Sequence, residues 1–146
     1  MREVKFRAMR EIKFRAWNGY RIIKDEIHRI QFYRNGHWSI IGMEKFNGVN
    51  NLKREYKIAS SYRPDNKAVI MQYTGLKDKN GVEIYEGDIL QDYDYERIGV
   101  VSFEKGAFIV TWENEFCNAF EWSGEAVIGN IYENPEILNF LKELEK

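Results

Sequence analysis

Cysteine is almost absent from this chain of 146 residues, and its scarcity sets the first limits. Because Cys117 is the single cysteine, the sequence excludes an internal disulfide and a cysteine-rich zinc site, and it fits a reducing compartment. No histidine lies close to Cys117 in sequence, so we interpret it as a small buried hydrophobic residue and not as a nucleophile. Proline is also rare, with 2 residues, while hydrophobic residues make up 44%, so we expect a compact fold.

Long apolar runs are missing as well. No stretch approaches the ~20 apolar residues that cross a bilayer, and the N-terminus alternates charged with apolar residues, unlike a signal peptide. We therefore expect no membrane partner and a cytoplasmic location. Lysine and arginine number 22 against 23 aspartates and glutamates, so the formal net charge of -1 provides no overall attraction to a polyanion.

The motifs of common enzyme classes are absent too. The sequence contains no P-loop, no dinucleotide-binding glycine loop, and no HExxH or GxSxG string. The acidic run at Asp92, Asp94 and Glu96 fails as a calcium loop, because Arg97 stands where a glycine is needed and Phe103 where a glutamate is needed. We therefore expect no catalytic residues, no metal and no cofactor.

A tandem repeat opens the chain. Residues 1–8 read MREVKFRA and residues 9–17 read MREIKFRAW, and each copy alternates apolar with basic residues as a strand with one buried face does. We interpret residues 1–8 as a duplicated extension, with Met9 as the natural beginning. The alternative is an extra strand that adds to the sheet edge of a neighbour.

Two Asn-Gly pairs predict hairpins in the first part of the chain. Asn18-Gly19 predicts a two-residue turn into a strand over residues 20–23, and Asn35-Gly36 centres a second hairpin over residues 27–41. His28 and His37 lie in or beside this second hairpin. Since no cysteine or carboxylate spacing accompanies them, we interpret both as surface residues and not as a metal pair.

Residues 43–66 lose this periodicity and are predicted as a linker. Within them, residues 52–62 predict a short helix, with a strand as the alternative. Lys53, Arg54 and Lys57 are interpreted as part of a solvated face, because Glu55 interrupts them.

The richest turn signals lie in residues 75–90, GLKDKNGVEIYEGDIL. Asn80-Gly81 predicts a tight turn, and Gly87 supplies the permissive backbone for a second bend. Asp78 and Asp88 are interpreted as acceptors for backbone N–H groups in these turns, the alternative for Asp88 being a general base or metal ligand. The predicted structural turn residues are Gly75, Asp78, Asn80, Gly81, Gly87, Asp88 and, further on, Gly106.

Several short strands and one helix complete the prediction. Residues 68–73 predict a covered strand, and residues 98–103 and 107–112 predict a hairpin about Gly106. Residues 116–122 and 126–132 predict two more strands, which favours a small barrel. Asn134 as N-cap and Pro135 at the first helical position predict a terminal helix that packs on the barrel.

The loop after residue 90 offers a candidate interaction surface. Tyr93 and Tyr95 alternate with Asp92 and Asp94, a composition suited to a basic or proline-rich peptide, since aromatic grooves recognise extended segments. The alternative interpretation is a solvated loop with two packed tyrosines.

Four blocks of sequence resemble the YopX family, small proteins carried by temperate phages and prophages. They are MREIKFRAW (9–17), MQYTGLKDKNGVEIYEGDIL (71–90), GVVSFEKGAFIVTW (99–112) and VIGNIYENPEIL (127–138). The resemblance implies a mainly β fold with minor α, in which an N-terminal part containing β-hairpins precedes a C-terminal SH3-like small β-barrel. The expected divisions are residues 1–8, residues 9–66 with the linker, and residues 67–146 with the barrel and helix.

The resemblance implies no established activity. We expect a non-enzymatic phage or prophage accessory protein that acts through protein contacts with a phage or host protein and as a homo-oligomer. The second hypothesis is a nucleic-acid binder, and the third is an enzyme that uses Asp88. The second would use the basic residues of the repeat, which are Arg2, Lys5, Arg7, Arg10, Lys13 and Arg15.

Overall fold

The computed structural model describes residues 12–24, 27–45, 53–60, 68–112, 115–118 and 124–144. This part of the chain is mainly β with one short helix, as predicted, and includes a curled half-barrel sheet. The strands are β1 (Phe14–Trp17), β2 (Ile22–Ile23), β3 (Ile27–Phe32), β4 (Trp38–Lys45), β5 (Lys53–Ser60), β6 (Val69–Lys77), β7 (Glu83–Tyr85), β8 (Asp88–Asp92), β9 (Arg97–Glu104), β10 (Ala107–Trp112), β11 (Glu115–Asn118) and β12 (Ala126–Asn130), and the helix is α1 (Pro135–Leu144).

The chain divides into two compact units, and each takes two segments of sequence. Within the described residues, the first unit contains those of Met1–Lys13 and Gln72–Ile128, and the second contains those of Phe14–Met71 and Gly129–Lys146. The predicted extension at residues 1–8 lies outside the described residues. None of the described helical residues forms a segment long and apolar enough to cross a membrane.

A five-stranded sheet in the order β11-β10-β9-β8-β12 belongs to the first unit. The predicted hairpin of β9 and β10 is confirmed, since Glu104 faces Ala107 across a two-residue turn. Lys105 and Gly106 have φ angles of 50° and 84°, and positive φ at both positions is the type I′ turn that matches the twist of paired strands. Gly106 adopts this conformation without a side-chain clash.

The core of the first unit forms on one face of this sheet. Val101 faces Val110, and Phe103 faces Phe108, as the alternation of the two strands predicts. Gly99 faces Trp112, and a Cβ atom on Gly99 would lie 2.6 Å from Trp112 Cε3, so the indole packs directly on the backbone. The cluster consists of Ile84, Leu90, Val101, Phe108, Val110 and Trp112, with Leu76 and Val127 against it.

The second unit contains a three-stranded sheet in the order β3-β4-β5. The hairpin predicted around Asn35-Gly36 is confirmed, with Phe32 opposite Trp38. Lys53–Ser60 is a strand that pairs with β4, so of the two alternatives for residues 52–62 the helix is wrong and the strand is right. The strand forms because Ala59 is buried against Ile40 while Glu55 and Lys57 are exposed.

The first hairpin forms with a longer loop than predicted. β1 and β2 pair with Trp17 opposite Ile22, so four residues connect them and the second strand starts at Ile22 instead of residue 20. Asn18 Oδ1 accepts hydrogen bonds from the backbone N–H of Tyr20 at 3.0 Å and of Arg21 at 2.9 Å. This side-chain capping extends the turn. The two strands belong to a sheet in the order β2-β1-β6-β7.

The terminal helix begins where Pro135 predicts, and Glu136 lies in its first turn. Asn134 precedes it as expected, but its side chain has a different partner from the predicted helix N–H groups. Asn134 Oδ1 accepts from the backbone N–H of Asn130 at 3.2 Å and thereby closes the turn after β12. Gly129 leaves room for this amide, because a Cβ atom there would lie 2.5 Å from Asn134 Oδ1.

Candidate functional site

The loop of residues 93–96 joins β8 to β9 and is organised by Asp92. Asp92 Oδ1 accepts from the backbone N–H of Asp94 at 3.0 Å and of Tyr95 at 3.2 Å, and its Oδ2 pairs with Arg97 Nε at 3.1 Å. Glu96 adopts a φ of 53°, which closes the turn into β9. Asp92 is one of the four residues predicted to form the interaction surface. Because it is buried, it stabilises the conformation of the loop instead.

Tyr93 and Tyr95 stand out from this loop, with 52% and 75% of their surface exposed. The Lys79 ammonium lies 3.8 Å from the centroid of the Tyr93 ring. The Arg97 guanidinium carbon lies 4.9 Å from the Tyr95 ring and 4.7 Å from the Trp112 ring. All three distances fall in the range of cation–π attraction, so both tyrosines already accept a cation of the chain itself.

Asp78 fixes the neighbouring loop of residues 78–82. Its Oδ1 accepts from the backbone N–H of Asn80 and of Val82, each at 2.8 Å, and its Oδ2 accepts from Val127 N–H at 3.0 Å. Burial of the carboxyl by itself raises the pKa of Asp78, but the hydrogen bonds from Val127, Val82 and Asn80 outweigh it and the pKa falls below its ordinary value of 3.8. Asp78 is therefore a charged anchor between this loop and β12.

Glu125 lies buried at the start of β12 and connects the same loops. Its backbone carbonyl accepts from Lys79 N–H at 3.1 Å, and its Oε2 accepts from Gly124 N–H at 3.2 Å. Burial raises the pKa of Glu125 and outweighs the backbone hydrogen bonds of Glu125 and Gly124, which lower it. The charge of Asp92 adds to the rise, while Arg97 opposes it. The carboxyl is thus shifted toward its neutral form.

These contacts join residues 78–82, 92–97 and 124–127 into one end of the first unit, which we call the tyrosine end. Its buried carboxylates hold the backbone, and its exposed aromatic and charged groups are two phenol rings, two carboxylates and one ammonium. The exposed residues of the tyrosine end are Lys79, Asn80, Gly81, Val82, Tyr93, Asp94, Tyr95, Glu96 and Gly124.

The other predicted turn residues occupy local backbone positions. Gly75, with a φ of 89°, lies inside β6 at an irregularity in its pairing with β7, so it forms a bulge and not a turn between strands. Gly81 has a φ of 82° in the loop after Asn80, and Gly87 a φ of 78° in the turn between β7 and β8. Asp88, 1% exposed, accepts Tyr85 N–H on Oδ2 at 2.7 Å.

The residues considered for metal or nucleic-acid binding are dispersed. His28 Nε2 lies 3.9 Å from Glu55 Oε1 on the sheet of the second unit. Among the described residues, no three histidine, cysteine, aspartate or glutamate side chains gather as a metal site. Lys13 pairs with Glu83 at 2.7 Å, and Arg15 is buried. Arg2, Lys5, Arg7 and Arg10 lie outside the described residues, as does the side chain of Cys117.

Sequence reasoning missed two features that depend on distant partners. Lys79 and Glu125 were not singled out, because only the fold brings them to Tyr93 and Asp92. Asn130 was missed as well: its Oδ1 accepts from the N–H groups of Tyr132 and Glu133 at 3.1 and 3.0 Å. The string Gly-Asn-Ile-Tyr-Glu-Asn carried that signal, since asparagine side chains cap turns two and three residues ahead.

The described residues form a small, mainly β protein with one short helix. A family model described as "YopX protein" matches residues 13–139, and the chain belongs to the YopX family. No curated protein matches the chain.

Two solved structures share the fold. The structure of protein EF1440 from Enterococcus faecalis is 32% identical, with a TM-score of 0.57, and the match covers 88% of this chain and 99% of that one. The structure of protein yopX from Bacillus subtilis is 23% identical, with a TM-score of 0.61, and the match covers 84% and 94%.

Proposed function

We propose that this YopX protein is a non-enzymatic accessory protein of a temperate phage or prophage that acts in the cytoplasm of the bacterial host through protein contacts. The observation that carries the proposal is the exposure of Tyr93 and Tyr95 on a loop held from within by Asp92. Exposed tyrosines on a fixed backbone are effective anchors, because little rotamer or loop entropy is lost when they are covered.

An extended protein segment is the partner that fits this surface. The rings of Tyr93 and Tyr95 supply apolar area, and the carboxylates of Asp94 and Glu96 beside them supply negative charge. A basic segment uses both features, and a proline-rich segment uses the rings alone. Asp88 is engaged with the Tyr85 N–H and is almost inaccessible, which supports a structural role over that of a general base.

The sheet of the first unit supports the proposal of an SH3-like small barrel. Strands β8, β9, β10 and β11 pair in sequence, and β12 returns to the free side of β8. That return is the step by which a small barrel begins to close, and such barrels serve as peptide-binding modules in unrelated proteins. The packing of the terminal helix against the barrel stays a prediction.

Self-association is part of the proposal. In the described residues, β11 and β12 are the outer strands of the five-stranded sheet. Asp78 already accepts the Val127 N–H of β12, so β11 is the outer strand whose edge we propose pairs with a second copy. Light scattering coupled to size exclusion should show a particle larger than 17.4 kDa that dissociates on dilution. A particle of monomer mass at high concentration would remove this part of the proposal.

Site-specific photo-crosslinking in host cells tests the contact surface. A photoreactive amino acid replaces Tyr95, and the same residue at Tyr20, which is 89% exposed in the second unit, serves as the control for random encounter. We expect adducts at position 95 that are absent at position 20 and that disappear when Tyr93→Ser is added. Equal adducts at both positions, or adducts that persist with Tyr93→Ser, would overturn the proposal. Adducts of twice the chain mass identify a second copy as the partner, and adducts to nucleic acid support the alternative hypothesis.

A further inference from the structure

We propose that the face of the Tyr93 ring is the binding position for a lysine or arginine side chain of a partner's basic segment, and that Lys79 occupies this position in the unbound protein. The inference rests on the proposed contact function of the tyrosine end and goes beyond it, since it selects a basic over a proline-rich partner. It also assigns Lys79 a role as an internal occupant that the partner displaces.

The geometry at Tyr93 is that of a bound cation. The Lys79 Nζ lies 3.8 Å from the ring centroid, well inside the ~6 Å limit for cation–π attraction. Among the described residues, no carboxylate pairs with the Lys79 ammonium, and the side chain is exposed. The ring is therefore the contact that holds the ammonium, and an ammonium held by one exposed ring exchanges readily with another cation.

The backbone at this position does not need to move for such an exchange. Lys79 N–H donates to the Glu125 carbonyl at 3.1 Å, and the adjacent Asp78 carboxylate holds the loop through Asn80, Val82 and Val127. Only the flexible lysine side chain leaves the ring, and the Tyr93 face is then available in a loop that keeps its conformation. The cost of the exchange is confined to rotamer changes of one side chain.

Arg97 provides the contrast within the same loop. Its guanidinium carbon lies 4.9 Å from the Tyr95 ring and 4.7 Å from the Trp112 ring, but its Nε is also held by Asp92 Oδ2 at 3.1 Å. That ion pair fixes Arg97 as a structural residue. The tyrosine end therefore holds one cation firmly and one loosely, and only the Lys79 position is suited to exchange.

The surrounding charge selects the incoming side chain. Asp94 and Glu96 are exposed beside Tyr93 and Tyr95, and no cation pairs with either carboxylate among the described residues. Both carboxylates belong to the same exposed loop as Tyr93, and their charge favours a positive incoming group over a neutral one, because charges attract each other within the Debye length of ~8 Å at physiological salt. A proline-rich segment brings no charge to replace the one that leaves.

Fluorescence anisotropy with a labelled twelve-residue peptide of alternating lysine and serine tests the exchange, with a matched glutamate and serine peptide as the chemical control. Wild type is compared with Lys79→Met, and with Lys77→Met, which removes an equal charge from an exposed residue two positions away. Loss of the internal competitor should raise the affinity of Lys79→Met about two- to fivefold, the range expected for an exposed cation–π contact. Lys77→Met should change the affinity less than twofold.

Tyr93→Leu completes the cycle, because it removes the ring face and keeps an apolar side chain on a half-exposed residue. It should weaken binding and abolish the gain from Lys79→Met when the two changes are combined. The Lys79 Hε signals provide a readout without binding constants, since a ring at 3.8 Å shifts them upfield and the peptide should return them to ordinary values.

These experiments distinguish a failure of the exchange at Tyr93 from a failure of the proposed contact function. Equal gains from Lys79→Met and Lys77→Met, or no binding of the basic peptide to either protein, overturn the exchange at Tyr93 and leave the crosslinking test of the contact function standing. Crosslinks at position 95 that do not depend on Tyr93 overturn the contact function itself.

Discussion

Removing the carboxylate of Asp78 should destabilise the first unit more than any other single change at the tyrosine end. Asp78→Ala leaves the backbone N–H groups of Asn80, Val82 and Val127 without their acceptor. A donor that loses a charged partner costs about 1–3 kcal/mol when buried, and these donors are only partly buried, so the lower end applies to each. The sum is a loss of about 3 kcal/mol in the free energy of unfolding.

Urea unfolding followed by tryptophan fluorescence measures this loss. With m values of about 1–3 kcal/mol/M, the midpoint should fall by about 1–3 M at unchanged m. Asp94→Ala is the matched control, because it removes an exposed carboxylate from the neighbouring loop and should change the free energy of unfolding by less than about 0.5 kcal/mol. The loss of unfolding free energy for Asp78→Asn should lie between those of Asp78→Ala and Asp94→Ala, since the amide retains one acceptor oxygen but presents a donor group at its other position.

The dependence of this loss on pH follows from the lowered pKa of Asp78. Because the pKa in the folded protein lies below the ordinary value of 3.8, the carboxylate stabilises the fold above that pH and loses its effect as the pH falls through the folded pKa. The difference between wild type and Asp78→Ala should therefore be full at pH 7 and shrink in acid. A midpoint that moves by less than about 0.3 M at pH 7 would refute the anchoring role.

Three further changes test the packing and the charges of the structure. Gly99→Ala places a Cβ atom 2.4 Å from Val110 Cγ1 and should destabilise by about 1–3 kcal/mol, measured as a lower thermal midpoint, whereas Gly124→Ala, with no atom within 4 Å, should be neutral. Glu125→Gln should raise the thermal midpoint at pH 7 and give no gain below pH 4.5, because the raised pKa makes the charged form unfavourable in the fold; a gain that persists in acid would contradict this. Asn130→Ala removes the acceptor of two turn N–H groups and should cost about 1–3 kcal/mol, with faster amide exchange in that turn as the local readout.

The hairpins were predictable because their determinants are local. Asn35-Gly36 and Lys105-Gly106 stand at the turns, and the alternation on either side sets which residues face each other. The same reasoning gave too short a loop at Asn18, because the side chain of that residue caps two further N–H groups and adds residues to the turn. An Asn-Gly pair therefore indicates where a turn lies but does not determine how many residues the turn contains.

Several features that the sequence assigned wrongly or left open depend on partners far along the chain. Gly75 forms a bulge because the pairing of β6 with β7 is irregular at this position. Lys53–Ser60 is a strand because it pairs with β4. The bond between Asp78 and Val127 joins residues 49 positions apart. The sequence predicted that Asp78 accepts backbone N–H groups and that Tyr93 and Tyr95 form a surface, but the position of Lys79 over Tyr93 required the fold.

The central claim is that the tyrosine end is a contact surface for a basic segment, and the affinity of the lysine and serine peptide for five proteins tests it most directly. We expect tighter binding to Lys79→Met than to wild type, no such gain for Lys77→Met, and weak binding to Tyr93→Leu with or without Lys79→Met. Equal affinity for all five proteins would contradict this claim.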